Sequence, residues 1–301
     1  MPFPEKNKKN AKVLVIGASG QVGSSIVRTL NAKKNYKIFK ASSAPQKDFY
    51  LVDLTRPDTV SKAFSKINPD LVFLCGAFTN VETCQAQQEK AYILNAGGPR
   101  IVGRLCAECR AKVIFFSTEY VFDGKNGPYS EEDEPNPISI YGKSKLEGEK
   151  SLANVKGALI IRTTVVYNYD IKSKNFLMQV LNKAERGEKM RVPLDQYSNP
   201  TWAVELAKFS VELAERKKEG IYNVVGSQIM SRYDFALEIC RSFGLRNNFL
   251  QAVPTELLGQ KARRPLRAGL KTDKIFREFG RRLLPPAIAL PKINKTYGNI
   301  V

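Results

Sequence analysis

Short apolar runs alternate along the chain with segments whose apolar positions recur every three or four residues. The first run, KVLVIG at residues 12–17, is rich in β-branched residues and stops at a glycine. This pattern is typical of a strand buried in a parallel sheet. The segment that follows it, GASGQVGSSIVRTLNAK, switches to helical spacing. The alternation continues with the strand-like runs YKIFKAS, DLVFLCGA, KVIFFST, ALIIRTTVVY and GIYNVVG.

Helix-patterned segments separate these runs, among them DTVSKAFSKI, EKAYILNAGGPRIVGRLCAECR and WAVELAKFSVELAERKK. Strands that alternate with helices predict right-handed crossovers and a sheet covered on both faces. We therefore predict an α/β protein with a doubly wound parallel sheet of the Rossmann type.

Two stretches leave the alternation and carry Pro, Gly and charged residues in irregular order. We predict that they form a smaller C-terminal lobe, which binds substrate near the carboxyl ends of the strands. The chain then divides into a Rossmann domain, residues 1–167 plus 201–226, and a substrate-binding lobe, residues 168–200 plus 227–301.

Three glycines stand between the first predicted strand and the first predicted helix. Gly17, Gly20 and Gly23 form the pattern G-x-x-G-x-x-G. Glycine allows a tight turn and lets backbone N–H groups approach a pyrophosphate at a helix N-terminus, where the helix dipole favours negative charge. At the first strand-to-helix turn of an alternating chain, this pattern predicts dinucleotide binding.

The end of the second strand predicts which dinucleotide is bound. This strand ends in Phe39-Lys40-Ala41-Ser42-Ser43, and no carboxylate follows before Asp48. A carboxylate at this position would bind the ribose 2′-hydroxyl of NAD, whereas a 2′-phosphate needs basic or hydroxyl groups. We therefore predict that NADP(H) is preferred, with NAD(H) possible.

Charge and apolar composition limit which kinds of partner we expect. The formal charge of +19 comes from dispersed basic residues, without a nucleic-acid module or a basic stripe interleaved with aromatic residues, so we expect no nucleic-acid partner. No apolar run reaches the roughly 20 residues of a membrane helix, and we expect no membrane partner. The first residues, MPFPEKNKKNAK, lack the apolar core of a secretory signal. We expect a frayed basic tail and a cytoplasmic protein.

The chain has no histidine and an odd number of cysteines, five. Cys106 and Cys109 form a lone C-x-x-C inside a helix-patterned segment, so we expect reduced thiols and no metal site. An enzyme without imidazole must use Tyr, Lys, Cys or a carboxylate for proton transfer at neutral pH. Tyr141 and Lys145 are four residues apart, which places them on one face of a helix. On spacing alone, a solvated helix face is the favoured interpretation.

Motifs along most of the chain resemble those of a known family. In chain order they are GASGQVG, Asp53-Leu54-Thr55, GAFTNVETC, LNAGGP, FFSTEYVFDG, PYSEEDEPNP, YGKSKLEGE, RTTVVY, Asn175-Phe176, DQYSNPT and ARRPLRAGL. The chain resembles the extended short-chain dehydrogenase/reductase superfamily and, within it, the dTDP-4-dehydrorhamnose reductase family of nucleotide-sugar reductases. FSTxYVFDG followed by PNPxxxYGKSKLEGE is the most specific part of the resemblance.

The resemblance implies a catalytic set made of Thr118, Tyr141 and Lys145. The implied reaction is hydride transfer from NADPH to the C4 ketone of a nucleotide-linked 4-keto-6-deoxyhexose, with Tyr141 as the acid. Tyrosine ordinarily titrates near pH ~10. A lysine ammonium one turn away and a positively charged nicotinamide ring would lower its pKa, by roughly 1–3 units for a close opposite charge. Thr118 would bind the substrate carbonyl and Lys145 the nicotinamide ribose.

The family's other site positions map onto this chain motif by motif. The cofactor-binding residues implied are Gly17, Ser19, Gly20, Gln21, Val22, Gly23, Lys40, Ser42, Ser43, Asp53, Leu54, Gly76, Ala77, Asn95, Tyr141 and Lys145. The substrate-binding residues implied are Thr79, Val81, Glu82, Thr118, Glu119, Asn175, Asp195, Gln196, Thr201 and Arg264. Asn95 could instead start a helix, Arg264 could be a charged surface residue, and Glu119 stands where relatives usually carry Asp.

Other functions share the same cofactor apparatus. The family's fold also serves nucleotide-sugar epimerases and dehydratases, and it serves NADP-binding regulatory subunits such as the β subunit of methionine adenosyltransferase. TELLGQKARRP is slightly similar to that regulatory branch, whereas FSTEYVFDG resembles the reductases more than the dehydratases. The expected ligand is a nucleotide sugar, and a homodimer is left open.

Overall fold

The computed structural model describes residues 10–297; the predicted frayed tail falls largely on residues 1–9, outside the described residues. The strands are β1 Ala11–Ile16, β2 Tyr36–Ser42, β3 Tyr50–Leu51, β4 Leu71–Leu74, β5 Lys112–Thr118, β6 Ala158–Thr163, β7 Val166–Tyr167, β8 Met190–Pro193, β9 Tyr197–Ser198, β10 Thr201–Trp202, β11 Gly220–Asn223, β12 Met230–Ser231 and β13 Leu250–Val253. The helices are α1 Gln21–Lys33, α2 Pro57–Ile67, α3 Val81–Ala86, α4 Gln88–Tyr92, α5 Gly98–Cys109, α6 Ile140–Leu152, α7 Phe176–Glu185, α8 Ala203–Glu215, α9 Arg232–Phe243, α10 Asp273–Phe279 and α11 Pro286–Tyr297.

Seven strands form the central sheet, in the order β11-β6-β5-β4-β1-β2-β3. The pairs β2–β3, β1–β2, β1–β4 and β4–β5 run parallel. Strand order reverses at β1, because β2 and β3 extend the sheet to one side and β4 to the other. With right-handed crossovers, this reversal places helices on both faces. The predicted doubly wound Rossmann sheet is confirmed.

Apolar periodicity builds the core of this sheet. Helix α2 buries Val60, Ala63, Phe64 and Ile67, which lie at the spacing of one helix face. These side chains join the same apolar cluster as Leu14 of β1. A helix–sheet core of this kind is stabilised mainly by removing apolar surface from water.

Two predicted segments are interrupted in the structure. The helix predicted over EKAYILNAGGPRIVGRLCAECR consists of α4, a π-helical turn at Ile93–Gly97, and α5. The proline at position 99 cannot donate to the helical ladder, and Gly97-Gly98 weakens it further. The run ALIIRTTVVY splits into β6 and β7, because Val165 takes a φ of 43°, a backbone region rare for β-branched residues.

A second core lies outside the central sheet. Helices α7, α9 and α11 pack together with the two-stranded pair β13–β8, which is parallel. The buried residues Tyr167, Leu181, Phe235 and Leu290 belong to one apolar cluster there. This part of the chain therefore has an apolar interior of its own.

The structure divides into two compact units. The first contains the chain up to Thr118, Ile140–Arg162 and Ala207–Tyr222, and the second contains Glu119–Ser139, Thr163–Leu206 and the chain from Asn223 onwards. The division into a cofactor domain and a substrate lobe stays a prediction, since compactness does not say what each part binds. Among residues 10–297, no helix is both long and apolar enough to cross a bilayer.

Glycine at position 23 is required by close packing. A Cβ there would lie 2.2 Å from the carbonyl oxygen of Gly17, whereas a Cβ at Gly20 would lie 3.4 Å from the same atom. Because the contact is with backbone, we expect Gly23→Ala to lower the free energy of unfolding by roughly 1–3 kcal/mol. Gly20→Ala should change it by less than about 1 kcal/mol in cofactor-free protein. Urea unfolding measures both, and equal losses would contradict this packing role.

Candidate active site

The turn between β1 and α1 is built to leave backbone N–H groups at a helix start. The N–H groups of Gly17 and Ala18 both donate to the Ala41 carbonyl oxygen at 3.0 Å, which ties the turn to β2. Gly20 is the N-cap of α1, where no side chain caps the helix, and the first turn carries no acidic residue. The helix dipole and these uncapped N–H groups fit a pyrophosphate.

The remaining residues predicted in this turn lie at the same helix start. Ser19 is exposed, and Gln21 and Val22, the first two residues of α1, are half-buried. These positions suit contact with a bound dinucleotide, and their roles stay predictions.

The predicted 2′-phosphate residues differ in how free their side chains are. The amine of Lys40 lies 4.7 Å from the ring centroid of Phe49, and Ser43 is exposed. The hydroxyl of Ser42 is buried and donates to the Ala44 carbonyl oxygen at 2.6 Å. Lys40 and Ser43 are therefore the better placed of the three to meet a phosphate.

Further predicted cofactor residues lie after β3 and β4. One carboxylate oxygen of Asp53 accepts from the N–H and the hydroxyl of Thr55, at 2.9 and 2.7 Å. Leu54 is buried in the core of the first unit. Gly76 follows β4, and its N–H donates to the Ile16 carbonyl oxygen at 3.1 Å. Ala77 is the next residue and is half-buried.

The predicted substrate loop after β4 leads into α3. Thr79 is exposed, and Val81 and Glu82 are the first two residues of the helix. Asn80 caps this helix by accepting from the N–H of Thr83 at 2.8 Å. The cap fixes the direction in which the loop enters α3.

Lys145 is fully buried and points at the end of β5. Its amine donates to the Phe116 carbonyl oxygen at 2.6 Å and lies 3.9 Å from the ring centroid of Phe115. Thr118 ends the same strand, two residues beyond Phe116, and is buried. Tyr141 lies one helical turn before Lys145 on α6 and is half-buried. The three predicted catalytic residues therefore all belong to β5 and α6.

Burial changes the charge of the catalytic amine. Removal from water lowers the pKa of Lys145 to about 7, although the nearby carboxylate of Glu149 opposes the shift. The amine of the cofactor-free protein therefore loses its proton more readily than a lysine in water, whereas the sequence prediction assumed a permanent ammonium. A group with this pKa can both give and take a proton near neutrality.

A hydrogen-bond chain that the sequence did not reveal fixes α6 in place. The Asn95 amide accepts from the N–H of Phe78 at 2.9 Å and donates to the Ser144 hydroxyl at 3.0 Å. That hydroxyl donates in turn to the carbonyl oxygen of Tyr141 at 2.9 Å. Asn95 lies inside the π-helical turn rather than at a helix start, so the alternative role foreseen for it is wrong. Its contact with the cofactor stays a prediction.

A buried ion pair holds the other end of the same helix. The Arg162 guanidinium of β6 donates to both carboxylate oxygens of Glu149, at 3.1 and 2.8 Å. Both side chains are almost completely buried. Such pairing offsets the cost of burying two charges. It also keeps a carboxylate one helical turn from Lys145.

In the second unit, Glu119 begins a single 3-10 turn after β5 and is buried. Its carboxylate accepts a hydrogen bond from the Thr164 hydroxyl. Thr164 directly precedes Val165, the residue with positive φ. The side chain of Glu119, one methylene longer than the Asp usual in relatives, is therefore anchored in the strained turn between β6 and β7.

Several predicted substrate residues have structural partners in the second unit. Asn175 caps α7 by accepting from the N–H of Met178 at 3.3 Å, and its amide donates to the carbonyl oxygen of Asn168 at 2.8 Å. Thr201 is fully buried, and its hydroxyl donates to the Asn199 carbonyl oxygen at 2.8 Å. Their contact with a substrate stays a prediction.

Asp195 and Gln196 fix the segment that follows β13. The Asp195 carboxylate accepts from the N–H and the hydroxyl of Thr255, at 3.1 and 2.5 Å. The Gln196 amide donates to the same hydroxyl at 3.0 Å. Their contact with a substrate stays a prediction.

The most specific sequence motifs build a loop that contacts the segment containing Arg264. Phe122 stacks on Tyr129 with ring centroids 4.2 Å apart, and the Tyr129 hydroxyl donates to Asp123 at 2.7 Å. The N–H of Arg267 donates to the Gly124 carbonyl oxygen at 2.9 Å, which joins this loop to the ARRPLRAGL segment. Arg264 is half-buried, and its guanidinium donates to the Ala262 carbonyl oxygen at 2.5 Å. Its contact with a substrate stays a prediction.

Comparison with known proteins identifies the family. The sequence profile described as the RmlD substrate binding domain matches residues 11–297. The chain belongs to this family. The predicted resemblance to dTDP-4-dehydrorhamnose reductases is confirmed by relatives within it.

A relative in Escherichia coli K12, a dTDP-4-dehydrorhamnose reductase, is 34% identical over 279 residues, covering 89% of this chain and 91% of the relative. The spore coat polysaccharide biosynthesis protein SpsK of Bacillus subtilis is 35% identical over 256 residues, covering 84% and 87%. The crystal structure of dTDP-4-dehydrorhamnose reductase from Bacillus anthracis, in complex with NADP, superposes with a TM-score of 0.88 at 27% identity, covering 95% of this chain and 99% of the other.

The lowered pKa of Lys145 predicts how the free energy of unfolding changes with pH. Between about pH 7 and 10.5 the unfolded chain keeps a proton on this lysine that the folded protein has released. The free energy of unfolding therefore gains a contribution that is complete above 10.5 and is lost as pH falls toward 7. In Lys145→Met this contribution is absent, so the wild-type stability minus that of the variant should increase with pH across this window.

Urea unfolding of cofactor-free protein across that pH window measures the difference. Lys143→Met replaces an exposed lysine on the same helix and serves as the matched control. It should leave the pH dependence of the wild type unchanged. A difference between wild type and Lys145→Met that stays flat with pH would contradict burial of the amine.

Proposed function

We propose that the protein reduces the C4 ketone of a nucleotide-linked 4-keto-6-deoxy sugar with NADPH, as the named dTDP-4-dehydrorhamnose reductases of its family act on their substrate. The observation that carries the proposal is the buried Lys145 amine, held at the end of β5 one helical turn from Tyr141. This arrangement supplies acid–base chemistry to a chain without histidine.

In the proposed reaction, bound NADPH supplies the hydride that reaches C4 of the sugar. The carbonyl carbon gains the two electrons of the hydride, and its oxygen takes a proton from the Tyr141 hydroxyl. Lys145, with a pKa of about 7, stabilises the resulting phenolate and can help return its proton from solvent. Thr118 binds the carbonyl oxygen, and Lys145 also binds the nicotinamide ribose.

We further propose that the first unit binds NADP(H) and that the second binds the nucleotide sugar. NADP(H) is the preferred cofactor, which the lack of a carboxylate at the end of β2 supports. The protein is proposed to act in the cytoplasm. A homodimer is a further proposal, which elution from a sizing column at the mass of two chains would support.

Replacement of the proposed acid separates binding from chemistry. Tyr141→Phe removes the hydroxyl and keeps the ring, so we expect turnover to fall at least ~100-fold, the usual worth of a positioned acid. The dissociation constant for NADPH should stay nearly unchanged. Initial rates of NADPH oxidation with a 4-keto sugar measure the effect. Tyr92→Phe, on the exposed side of α4, is the matched control and should be as active as the wild type.

Cofactor preference can be tested at Lys40. Loss of its amine should weaken NADPH binding by roughly 10-fold, the worth of one charge-assisted hydrogen bond, and should hardly affect NADH. Lys37 lies on the same strand and is exposed, so Lys37→Ala is the matched control for Lys40→Ala. Fluorescence titrations with both dinucleotides measure the ratio. Equal weakening of NADPH and NADH by Lys40→Ala would argue against contact with the 2′-phosphate.

A regulatory binding subunit is the second candidate function. It is favoured by the TELLGQKARRP segment, where Leu257 is 55% exposed and available to a partner protein. This function predicts NADPH binding without reduction of any nucleotide 4-keto sugar, together with a stable hetero-oligomer. Measured sugar reduction at an ordinary enzymatic rate would decide for the reductase.

A further inference from the structure

Arg232 is absent from the residues selected from the sequence, yet it lies beside several of them. It is the first residue of α9, and its N–H donates to the Gln196 carbonyl oxygen at 2.9 Å. Its guanidinium carbon lies 4.9 Å from the ring centroid of Phe176. Phe176 begins α7 directly after Asn175. The start of α9 and the start of α7 thus meet at this guanidinium.

The charges around Arg232 leave a positive balance. Burial lowers the pKa of Arg232; Tyr120 and Glu119 act against this shift, and the positive charge of Arg264 adds to it. Among the groups that influence the charge of Arg232, one other guanidinium, that of Arg264, and one carboxylate, that of Glu119, stand beside its own guanidinium. The carboxylate of Glu119 also accepts a hydrogen bond from the Thr164 hydroxyl.

Arg232 also lacks the partners that a purely structural arginine has. Within residues 10–297, no carboxylate lies within 4.0 Å of its guanidinium, and its side-chain N–H groups make no hydrogen bond. Arg162 of the same protein shows the contrast, since its buried guanidinium is paired with both oxygens of Glu149. A half-buried arginine whose donors are unused is arranged to receive an anion.

We propose that Arg232, together with Arg264, binds the diphosphate of the nucleotide sugar. The inference rests on the proposed function and names an additional binding residue for it. The planar guanidinium matches two oxygens of a phosphate, and stacking on Phe176 fixes its plane before the ligand arrives. The recognised group is therefore a nucleoside diphosphate rather than the free sugar.

In this role Arg232 contacts the diphosphate and not the reacting carbon. Its contacts with the diphosphate are the same in the ground state and in the transition state. Loss of such contacts raises KM and leaves kcat nearly unchanged. A residue that only supported the fold would instead lower thermal stability and affect both constants.

The test compares nucleotide binding by wild type, Arg232→Gln and Arg232→Lys, all loaded with NADP. Calorimetric titrations use dTDP, UDP and GDP as probes, then the nucleoside of whichever diphosphate binds most tightly. Arg241→Gln is the matched control, because Arg241 lies on the same helix with its side chain 77% exposed. Thermal unfolding of each variant establishes that it is folded.

We expect Arg232→Gln to weaken diphosphate binding by roughly 10- to 100-fold, as for loss of a charged hydrogen-bond pair. Arg232→Lys should recover part of this loss, whereas binding of the nucleoside and of NADPH should stay unchanged. KM for the nucleotide sugar should rise by a similar factor with kcat within about twofold. Arg241→Gln should match the wild type.

Two results would overturn the inference while leaving the proposed function intact. One is a folded Arg232→Gln variant that reduces nucleotide sugars and binds the diphosphate as the wild type does. The other is an equal loss of affinity for nucleoside and diphosphate. If wild-type protein binds NADPH but neither binds a nucleotide nor reduces a nucleotide sugar, the proposed function fails, and the assignment of Arg232 fails with it.

Discussion

The structure of the candidate site depends on keeping one amine in apolar surroundings at the end of a strand. Lys145 is buried, its amine donates to the Phe116 carbonyl oxygen, and the amine lies over the face of Phe115. In a chain without histidine, a pKa moved toward neutrality by burial gives this lysine the range that imidazole normally covers. The buried pair of Arg162 and Glu149 anchors the same helix and sets the local field.

Only some of the residues in the family motifs have side chains that are free to meet a ligand. In the second unit, the side chains of Asp195, Asn175 and Thr201 form hydrogen bonds that fix strand ends and a helix start. The stacked rings of Phe122 and Tyr129 likewise shape a loop. A motif can therefore be specific to a family because its residues position a backbone, while the groups that meet the ligand are few. This distinction directs mutagenesis toward side chains whose donors are unused.

Local patterns predicted the parts of the fold that are local in origin. The six central strand runs and the glycine turn follow from apolar alternation and from Gly23, whose packing partner is only six residues away. The π-helical turn and the bend at Val165 are missed, because periodicity continues across them. The bond from Asn95 to Ser144 joins residues 49 apart, and the neighbours of Arg232 come from three separate segments. Such contacts are tertiary, and no spacing in the sequence reports them.

The central claim is that the phenol and the buried amine on α6 serve a net hydride transfer from NADPH to a sugar carbon. Its most direct test uses NADPH deuterated at the transferable position of the nicotinamide, with a nucleotide-linked 4-keto-6-deoxyhexose as acceptor. Mass spectrometry and NMR of the product sugar locate the label. The account predicts one deuterium at C4 for each NADPH oxidised. A sugar product without deuterium, as expected from an epimerase or dehydratase that returns its hydride internally, would contradict it, as would label at any other carbon.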